Sequence, residues 1–322
     1  MTKHKFAFYS SLTTTFLRVG AVTPRVPWSS VDVMQLLFAW IVILFLGQIA
    51  YGALIPPKVH GQHEISDGNT TLTIEFLPKN RYTRDSENGT FQFAGKYPTQ
   101  KRHTLVLSPE SSTEKRTLNF QGTKRDRIGL IAINIVFTQI GVIILIISLL
   151  KKYNLSLAKA FGSIGNPLLT FGLPIALGTA FLLPALGLHH VSQSIVLALG
   201  GEPSTQEAVK MVAMSSSQTE LALQALSVMV FAPIAEELLF RGVIYTHIKQ
   251  AGHPKLAISF SAIIFAAIHG NLALILPLAV LGWALVWVYE KSGTIIAPIL
   301  MHATFNAINF SIIKLLPQLV NR

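Results

Sequence analysis

The sequence predicts an all-α polytopic membrane protein: a bundle of seven or eight transmembrane helices with a small β-rich extramembrane insert. The mean hydropathy is +0.50, and only 13% of the 322 residues are charged. Soluble domains usually contain about 25% charged residues. Several apolar runs also reach the length of about 18 residues that a membrane-spanning helix needs. We therefore expect a multi-pass protein in a lipid bilayer.

Seven apolar stretches are candidate membrane spans. They are residues 33–55, 128–150, 167–188, 219–247, 255–270, 272–289 and 294–314. Residues 191–200 can form either a short interfacial helix or part of an eighth span, and residues 255–289 can be divided in more than one way. The first stretch is too long for the apolar core of a cleavable signal peptide, so we expect it to be retained.

Residues 56–127 are more polar than the rest of the chain and predict the β-rich insert. Short runs of strand-forming residues alternate with turn residues, which is typical of strands; the runs are 70–77, 90–94, 104–107 and 117–120. The predicted domains follow from this change in composition. They are a basic N-terminal segment with the first transmembrane helix (1–55), the insert (56–127) and the transmembrane bundle (128–322).

The distribution of charge predicts the orientation and excludes some partners. Residues 1–30 contain basic but no acidic side chains, so the positive-inside rule predicts a cytoplasmic N-terminus and an insert on the outer or luminal side. The net charge of +11 favours contact with anionic lipid headgroups, whereas no aromatic-rich basic module indicates nucleic-acid binding. The chain has no cysteine, which excludes disulfides, Cys-ligated zinc and a thiol nucleophile.

A group of charged residues in the apolar C-terminal third is the first part of the candidate site. Glu236 and Glu237 are followed by Leu-Leu-Phe and then Arg241. A charge at the centre of a membrane helix costs about 2.5–3.5 kcal/mol and is a functional candidate by default. On a helix, Glu237 and Arg241 share a face and can pair, either as part of a site or as a structural ion pair. Glu236 points about 100° away and is free to face a cavity.

Two further polar groups lie in later apolar stretches. His269 follows Phe265 by four positions, and Asn306 follows His302 by four. Alone, each could be an interfacial residue or an interhelical hydrogen bond. Because three separate apolar helices each offer polar groups, we expect the bundle to bring these groups to one point.

Two glutamates, two histidines and an asparagine suit hydrolysis by an activated water molecule. A carboxylate can serve as the general base, and imidazole and amide groups can stabilise an oxyanion. The same groups could instead hold Zn²⁺, with Glu236, His269 and His302 as ligands and water in the fourth position. The usual zinc-protease pattern of two histidines around a glutamate is absent, so no cofactor is certain and Zn²⁺ stays possible.

At these residues the sequence resembles the CPBP family of intramembrane proteases, which includes type II CAAX prenyl endopeptidases and bacteriocin-self-immunity-like membrane proteins. The resemblance covers about residues 165–314. It implies that Glu236, with His269, activates the attacking water, while His302 and Asn306 stabilise the oxyanion. Glu237 and Arg241 would then orient the site. The family contains enzymes described as metalloproteases and as glutamate proteases, so the cofactor stays open.

The expected function is therefore that of an intramembrane endopeptidase acting on a membrane-associated protein or peptide. One alternative is a non-catalytic scaffold or immunity protein with the same fold. A proton-coupled transporter is another alternative, although no inverted repeat supports it. The sequence identifies neither the substrate nor the oligomeric state.

Overall fold

The structure of the chain is a computed structural model. It describes residues 24–54, seven strands between residues 61 and 119, residues 127–201, the single residues 209, 212, 213, 215 and 217, and residues 218–315. The strands are described by their backbone alone. The chain divides into two units, one formed by residues 1–45 and 134–322 and the other by residues 46–133. Most of the predicted basic N-terminal segment, residues 1–23, lies outside the described residues.

Apart from the strands, the described elements are helices. In chain order the described helices are α1 (Ser30–Leu54), α2 (Ile128–Lys152), α3 (Leu157–Phe161), α4 (Leu168–Ala180), α5 (Leu182–Ala198), α6 (Gln218–Gln250), α7 (Pro254–Ala267), α8 (Leu272–Ser292) and α9 (Ile296–Leu315). Three of them contain π-helical segments, which lie at Asn134–Ile140 in α2, at Leu168–Gly172 in α4, and at Ser227–Phe231 and Leu238–Tyr245 in α6.

Five of the described helices are long and apolar enough to cross a membrane: α1, α2, α6, α8 and α9. Helices α4 and α5 bend by 41° at their junction and count as a sixth span if they act as one. This supports a multi-pass integral membrane protein. The predicted number of seven or eight spans is wrong. Helix α7 has only 14 residues, which extend about 21 Å, less than the roughly 30 Å of a bilayer core.

The predicted fold class also needs correction at the insert. All residues with described side chains lie in helices or in the connections between them. These residues therefore support an all-helical fold class without a β-rich component. Between residues 61 and 119, the second unit is described only as antiparallel backbone pairing. Its segments are β1 (Gly61–Asp67), β2 (Thr70–Leu77), β3 (Arg81–Asp85), β4 (Gln92–Lys96), β5 (Gln100–Lys101), β6 (Thr104–Pro109) and β7 (Arg116–Asn119), in the order β1-β2-β3-β4-β6-β5 with β7 on β6.

The helices that carry the motifs pack closely around an apolar core. Phe240 of α6, Phe265 of α7 and Leu281 of α8 are all fully or almost fully buried. Two glycines permit the closest approaches between helices. A Cβ on Gly178 of α4 would lie 2.5 Å from the Met301 carbonyl oxygen of α9, and a Cβ on Gly282 of α8 would lie 3.0 Å from the Ala262 Cα of α7. Small residues at these positions therefore set the spacing of the bundle.

A sharp connection separates α7 from α8 and carries one motif residue. Helix α7 ends at Ala267, and Gly270 takes a positive φ of 64° that an L side chain rarely adopts. The Asn271 side chain then accepts a hydrogen bond of 2.9 Å from the Ala273 backbone nitrogen, which caps the start of α8. His269 is thereby held at the end of one helix, next to a tight turn.

A second polar cluster ties α1 to α2. Asp32, of which 6% is exposed, accepts hydrogen bonds from the backbone and hydroxyl groups of Ser29, from the Lys152 ammonium group and from the Tyr153 hydroxyl. Both carboxylate oxygens of Asp32 thus have donors. The cluster fixes the start of α1 against the end of α2.

Candidate functional site

The centre of the candidate site is a buried ion pair within α6. The Arg241 Nη1 atom donates a hydrogen bond of 2.9 Å to Glu237 Oε1, and both side chains are wholly buried. Their spacing of four residues places both groups on one side of the helix. A buried charge is tolerated only when it is paired and hydrogen-bonded, so neither residue can be removed alone without leaving an uncompensated charge.

Arg241 also connects α6 to two neighbouring helices. Its Nη2 atom donates a hydrogen bond of 3.1 Å to the Gly282 carbonyl oxygen of α8. Its guanidinium lies over the Phe265 ring of α7, 4.5 Å from the ring centroid. The cation–π contact and the carbonyl contact together hold the guanidinium in one orientation. The ion pair is therefore the point at which three helices meet.

His302 of α9 lies between the two glutamates. Its Nδ1 atom is 2.9 Å from Glu237 Oε1, and its Nε2 atom is 3.9 Å from Glu236 Oε2. Glu237 Oε1 already accepts from Arg241 Nη1, so it acts as an acceptor towards His302 as well, and Nδ1 carries the proton and donates. In the neutral ring, Nε2 is then a hydrogen-bond acceptor on the side of Glu236.

Several polar atoms at this point have open hydrogen-bonding capacity. Among the described residues, Glu236 Oε2, Glu237 Oε2 and Arg241 Nε are buried and have no hydrogen-bond partner. The Glu236 side chain as a whole is 25% exposed, unlike that of Glu237. Most buried polar groups are satisfied, and exceptions mark either a strained site or the place of a ligand or water. One of these open atoms, Glu236 Oε2, is 3.9 Å from His302 Nε2.

His269 is connected to His302 through the aromatic ring of Phe265. Its Nδ1 atom lies 2.8 Å from the Phe265 carbonyl oxygen. Because a carbonyl can only accept, Nδ1 carries the proton and Nε2 is an acceptor in the neutral ring. The His269 and His302 rings lie 5.1 and 5.6 Å from the Phe265 ring. No hydrogen bond or ion pair joins His269 directly to Glu236 in the described part of the chain.

Asn306 is anchored to α6 by an unusual backbone feature. Its Nδ2 atom donates a hydrogen bond of 2.9 Å to the Val228 carbonyl oxygen, inside the π-helical segment Ser227–Phe231. In that segment the Ala232 backbone nitrogen donates to the Ser227 carbonyl. The next donor in the same pattern would be Pro233, which has no N–H. Asn306 supplies the hydrogen bond that Pro233 cannot, and its second N–H has no acceptor among the described residues.

The described residues do not assemble a metal site. No group of three or more histidine, aspartate or glutamate side chains among them is arranged to hold a metal ion. The conditional zinc ligands Glu236, His269 and His302 are not arranged as such a group among the described residues, although the hydrogen bonds of both histidines use Nδ1 and leave Nε2 as an acceptor. The zinc alternative therefore stays a prediction.

The structure brings together the predicted site residues to different degrees. Glu236, Glu237, Arg241 and His302 lie in direct or near contact, while His269 and Asn306 join through Phe265 and Val228. Their catalytic roles stay predictions. Sequence reasoning missed Gln139 of α2, whose Nε2 atom donates to Ser227 Oγ at 2.8 Å. A lone carboxamide within an apolar span was the signal that could have identified it.

Comparison with known proteins agrees with the motif pattern. Residues 218–308 match the family model of the Rce1-like type II CAAX prenyl endopeptidases. The chain is also 34% identical over 88 residues to UPF0177 protein YxdF of Lactococcus lactis subsp. lactis (strain IL1403), an alignment that covers 27% of this chain and 48% of that protein. The chain thus spans about half the length of the curated relative that it matches. No solved structure matches the chain.

The matched segment is the part of the chain that carries the site. Residues 218–308 extend from the start of α6 to the middle of α9. All six predicted site residues lie inside it, including Glu236, His269 and His302. The resemblance to the CPBP family that the three motifs predict is therefore confirmed over residues 218–308.

Proposed function

We propose that the chain is an intramembrane endopeptidase that hydrolyses a peptide bond of a membrane-associated protein or peptide with a water molecule activated by Glu236. One observation carries the proposal: Glu236 Oε2 is buried without a hydrogen-bond partner among the described residues, 3.9 Å from His302 Nε2. That distance is too long for a direct hydrogen bond. It allows one water oxygen to lie within hydrogen-bonding distance of both atoms.

The chemical step follows from the two acceptors. The water directs its hydrogens to Glu236 and His302, which leaves an oxygen lone pair free to attack the peptide carbonyl carbon. As the C–O bond forms, the water gives one proton to Glu236, which acts as the general base. The tetrahedral intermediate then collapses, the C–N bond breaks, and the proton passes from Glu236 to the leaving nitrogen. The products are a carboxylic acid and an amine.

The buried ion pair keeps His302 in the correct orientation. Glu237 accepts from His302 Nδ1, and Arg241 neutralises Glu237 and fixes it against α7 and α8. In this arrangement a charged orienting group stabilises one tautomer of the histidine, and the other ring nitrogen faces the reactants. Glu237 and Arg241 are therefore positioning residues rather than reactants.

Asn306 and His269 have supporting roles in the proposal. The second N–H of Asn306 is available to stabilise the oxyanion while its first N–H holds Val228. The His269 ring contacts the Phe265 ring, which also contacts His302, and its Nε2 atom is an acceptor because Nδ1 bonds to the Phe265 carbonyl. It assists the activation of water, the role that the family resemblance implies.

The matched family suggests a first substrate to test. Its description as type II CAAX prenyl endopeptidases names prenylated CAAX sequences as the targets of those enzymes. We propose a prenylated CAAX-type peptide as the first probe for this chain, since its lipid group would bring it to the bilayer in which the five or six apolar helices lie.

The decisive experiment compares Glu236→Gln with wild type. Membrane fractions from cells that express either form are analysed by N-terminal proteomics, and the purified proteins are incubated in liposomes with the prenylated probe. Loss of the general base should abolish cleavage, with a decrease of about a thousandfold. New protein N-termini should be present with the wild type and absent with the variant.

Glu290→Gln is the matched control. Glu290 is also a carboxylate of the bundle, but it pairs with Lys249 and Tyr245, away from the motif residues. This variant should give the same new N-termini as wild type. Equal cleavage by wild type and Glu236→Gln would contradict the proposal, and so would identical N-termini in cells with and without the wild-type protein, which is the result expected of a scaffold.

A further inference from the structure

Gln139 is a buried polar residue that the proposed reaction does not use. It lies in the π-helical segment of α2, outside the segment that matches the protease family, and only 6% of it is exposed. Its Nε2 atom donates a hydrogen bond of 2.8 Å to Ser227 Oγ of α6, and its Oε1 atom has no hydrogen-bond partner among the described residues. A carboxamide in an apolar helix is costly unless it bonds to another helix.

The residue that Gln139 holds begins the π-helical segment of α6. Ser227 is itself 5% exposed, and its carbonyl accepts from Ala232. The neighbouring carbonyl, that of Val228, is the acceptor for Asn306. A continuous series of hydrogen bonds therefore runs from Gln139 of α2, through Ser227 and Val228 of α6, to α9. Within it, the side-chain contact of Gln139 lies one residue from the backbone contact of Asn306.

We propose that Gln139 is a positioning residue for Asn306 and acts through the Ser227–Val228 turn. π-Helical segments are irregular and often lie at functional sites. The segment Ser227–Phe231 also lacks one backbone hydrogen bond because of Pro233. The Gln139 amide fixes this turn from the side of α2, so the Val228 carbonyl points towards α9. Asn306 is then held with its second N–H directed to the reacting carbonyl. This inference rests on the proposed function.

A double-mutant cycle tests the inference with the purified protein in liposomes and the prenylated CAAX-type peptide as probe. If that peptide is not cleaved, a peptide that spans a cleavage site found by N-terminal proteomics replaces it. Gln139→Met keeps the side-chain length but removes the donor. Loss of one hydrogen bond corresponds to an expected three- to tenfold decrease in kcat, that is, about 1 kcal/mol. KM should stay unchanged, because the oxyanion contact forms only in the transition state.

Gln139→Met in an Asn306→Ala background distinguishes positioning of Asn306 from a general contribution to the stability of the fold. If Gln139 acts through Asn306, Gln139→Met should not lower kcat further once Asn306 is absent. Ser227→Ala removes the same hydrogen bond from the other side and should reproduce the effect, which keeps the test available if Gln139→Met fails to fold. Ser148→Ala is the control on α2, since its hydroxyl bonds only to the Ile144 carbonyl of its own helix.

The possible results lead to different conclusions. A kcat of Gln139→Met equal to that of wild type would overturn the inference, and so would an equal decrease in the presence and absence of Asn306. Both results leave the proposed function intact, since the wild type still cleaves. If the wild type cleaves no peptide and produces no new N-termini, the proposed function itself fails.

Discussion

Two buried carboxylate clusters in this protein differ in how completely their oxygens are satisfied. Asp32, between α1 and α2, accepts hydrogen bonds from Ser29, Lys152 and Tyr153, so both of its oxygens have donors. Glu236 and Glu237 each have one buried oxygen without a hydrogen-bond partner among the described residues, and the buried Arg241 Nε atom also has none. Both clusters lie in helices apolar enough to span a membrane.

Under the proposed function, this difference separates a cluster that stabilises the fold from one that does chemistry. A carboxylate with a full set of donors contributes to stability, and an unsatisfied buried polar atom lowers it. The open oxygens near His302 therefore need a functional reason, as active sites often sacrifice stability for reactivity. We expect substitutions at the Asp32 cluster to change stability and substitutions around Glu236 to change turnover.

The largest effect after that of Glu236 is expected at His302. His302→Gln removes the imidazole between the two glutamates, and turnover of the probe peptide should fall about a thousandfold because the flexible amide is not held in place as an acceptor for the water. Turnover is measured with the purified protein in liposomes. His247→Gln is the matched control, since His247 contacts Ser30 at the end of α6. Comparable losses of turnover in His302→Gln and His247→Gln would contradict a specific role for the position of His302.

The buried ion pair of Glu237 and Arg241 gives the next prediction. Glu237→Gln leaves the Arg241 charge uncompensated and should destabilise the fold by about 3–5 kcal/mol. The double variant Glu237→Gln, Arg241→Met should regain most of this stability. Its turnover should nevertheless stay about tenfold or more below that of wild type, because His302 Nδ1 loses its charged acceptor.

Thermal unfolding in detergent and probe turnover are measured on the same samples. Recovery of both stability and turnover in the double variant would mean that the pair is structural only, which is the alternative that the sequence leaves open.

The spacing between α4 and α9 gives a smaller effect. A Cβ on Gly178 would lie 2.5 Å from the Met301 carbonyl oxygen, so Gly178→Ala should displace α9 and with it His302. Turnover should fall about tenfold, because small misplacements of reacting groups are costly. Gly187→Ala in α5 is the control, since nothing lies within 4 Å of its Cβ. Wild-type turnover in Gly178→Ala would show that α9 tolerates the shift.

The smallest effect on turnover is expected at the Asp32 cluster, in which both carboxylate oxygens have donors. Asp32→Asn weakens the contacts to Lys152 and Tyr153, so the midpoint of thermal unfolding should decrease. The turnover of the folded fraction should stay within about twofold of wild type, because the described hydrogen bonds of Asp32 reach none of the motif residues. A large loss of turnover without a loss of stability would contradict the distinction between the two clusters.

The sequence was sufficient to predict the membrane class and to select the residues of the candidate site, whose roles stay predictions. Charged groups in apolar helices are rare enough to stand out, so Glu236, Glu237 and Arg241 could be identified from spacing alone. The direct neighbour of Glu236 could not be identified in this way. The resemblance implied His269, whereas the closest imidazole is that of His302, because contacts between α6 and α9 depend on packing that spacing does not encode.

The sequence alone could not predict the number of spans or the π-helical segments, because both depend on how the backbone bends and packs. Hydropathy does not distinguish the short helix α7 from a full span, nor the bent pair α4 and α5 from two spans. The anchor of Asn306 on the Val228 carbonyl depends on a backbone register that only coordinates reveal. Orientation, domain boundaries and catalytic roles stay predictions.

The most direct test of the central claim measures turnover and stability of Glu236→Gln on one purified sample in liposomes. The account predicts that probe cleavage falls about a thousandfold, while the midpoint of thermal unfolding stays the same or rises, since a neutral amide replaces an unsatisfied buried carboxylate. Cleavage within tenfold of wild type, or a loss of activity that follows a loss of stability, would contradict the assignment of Glu236 as the base that activates water.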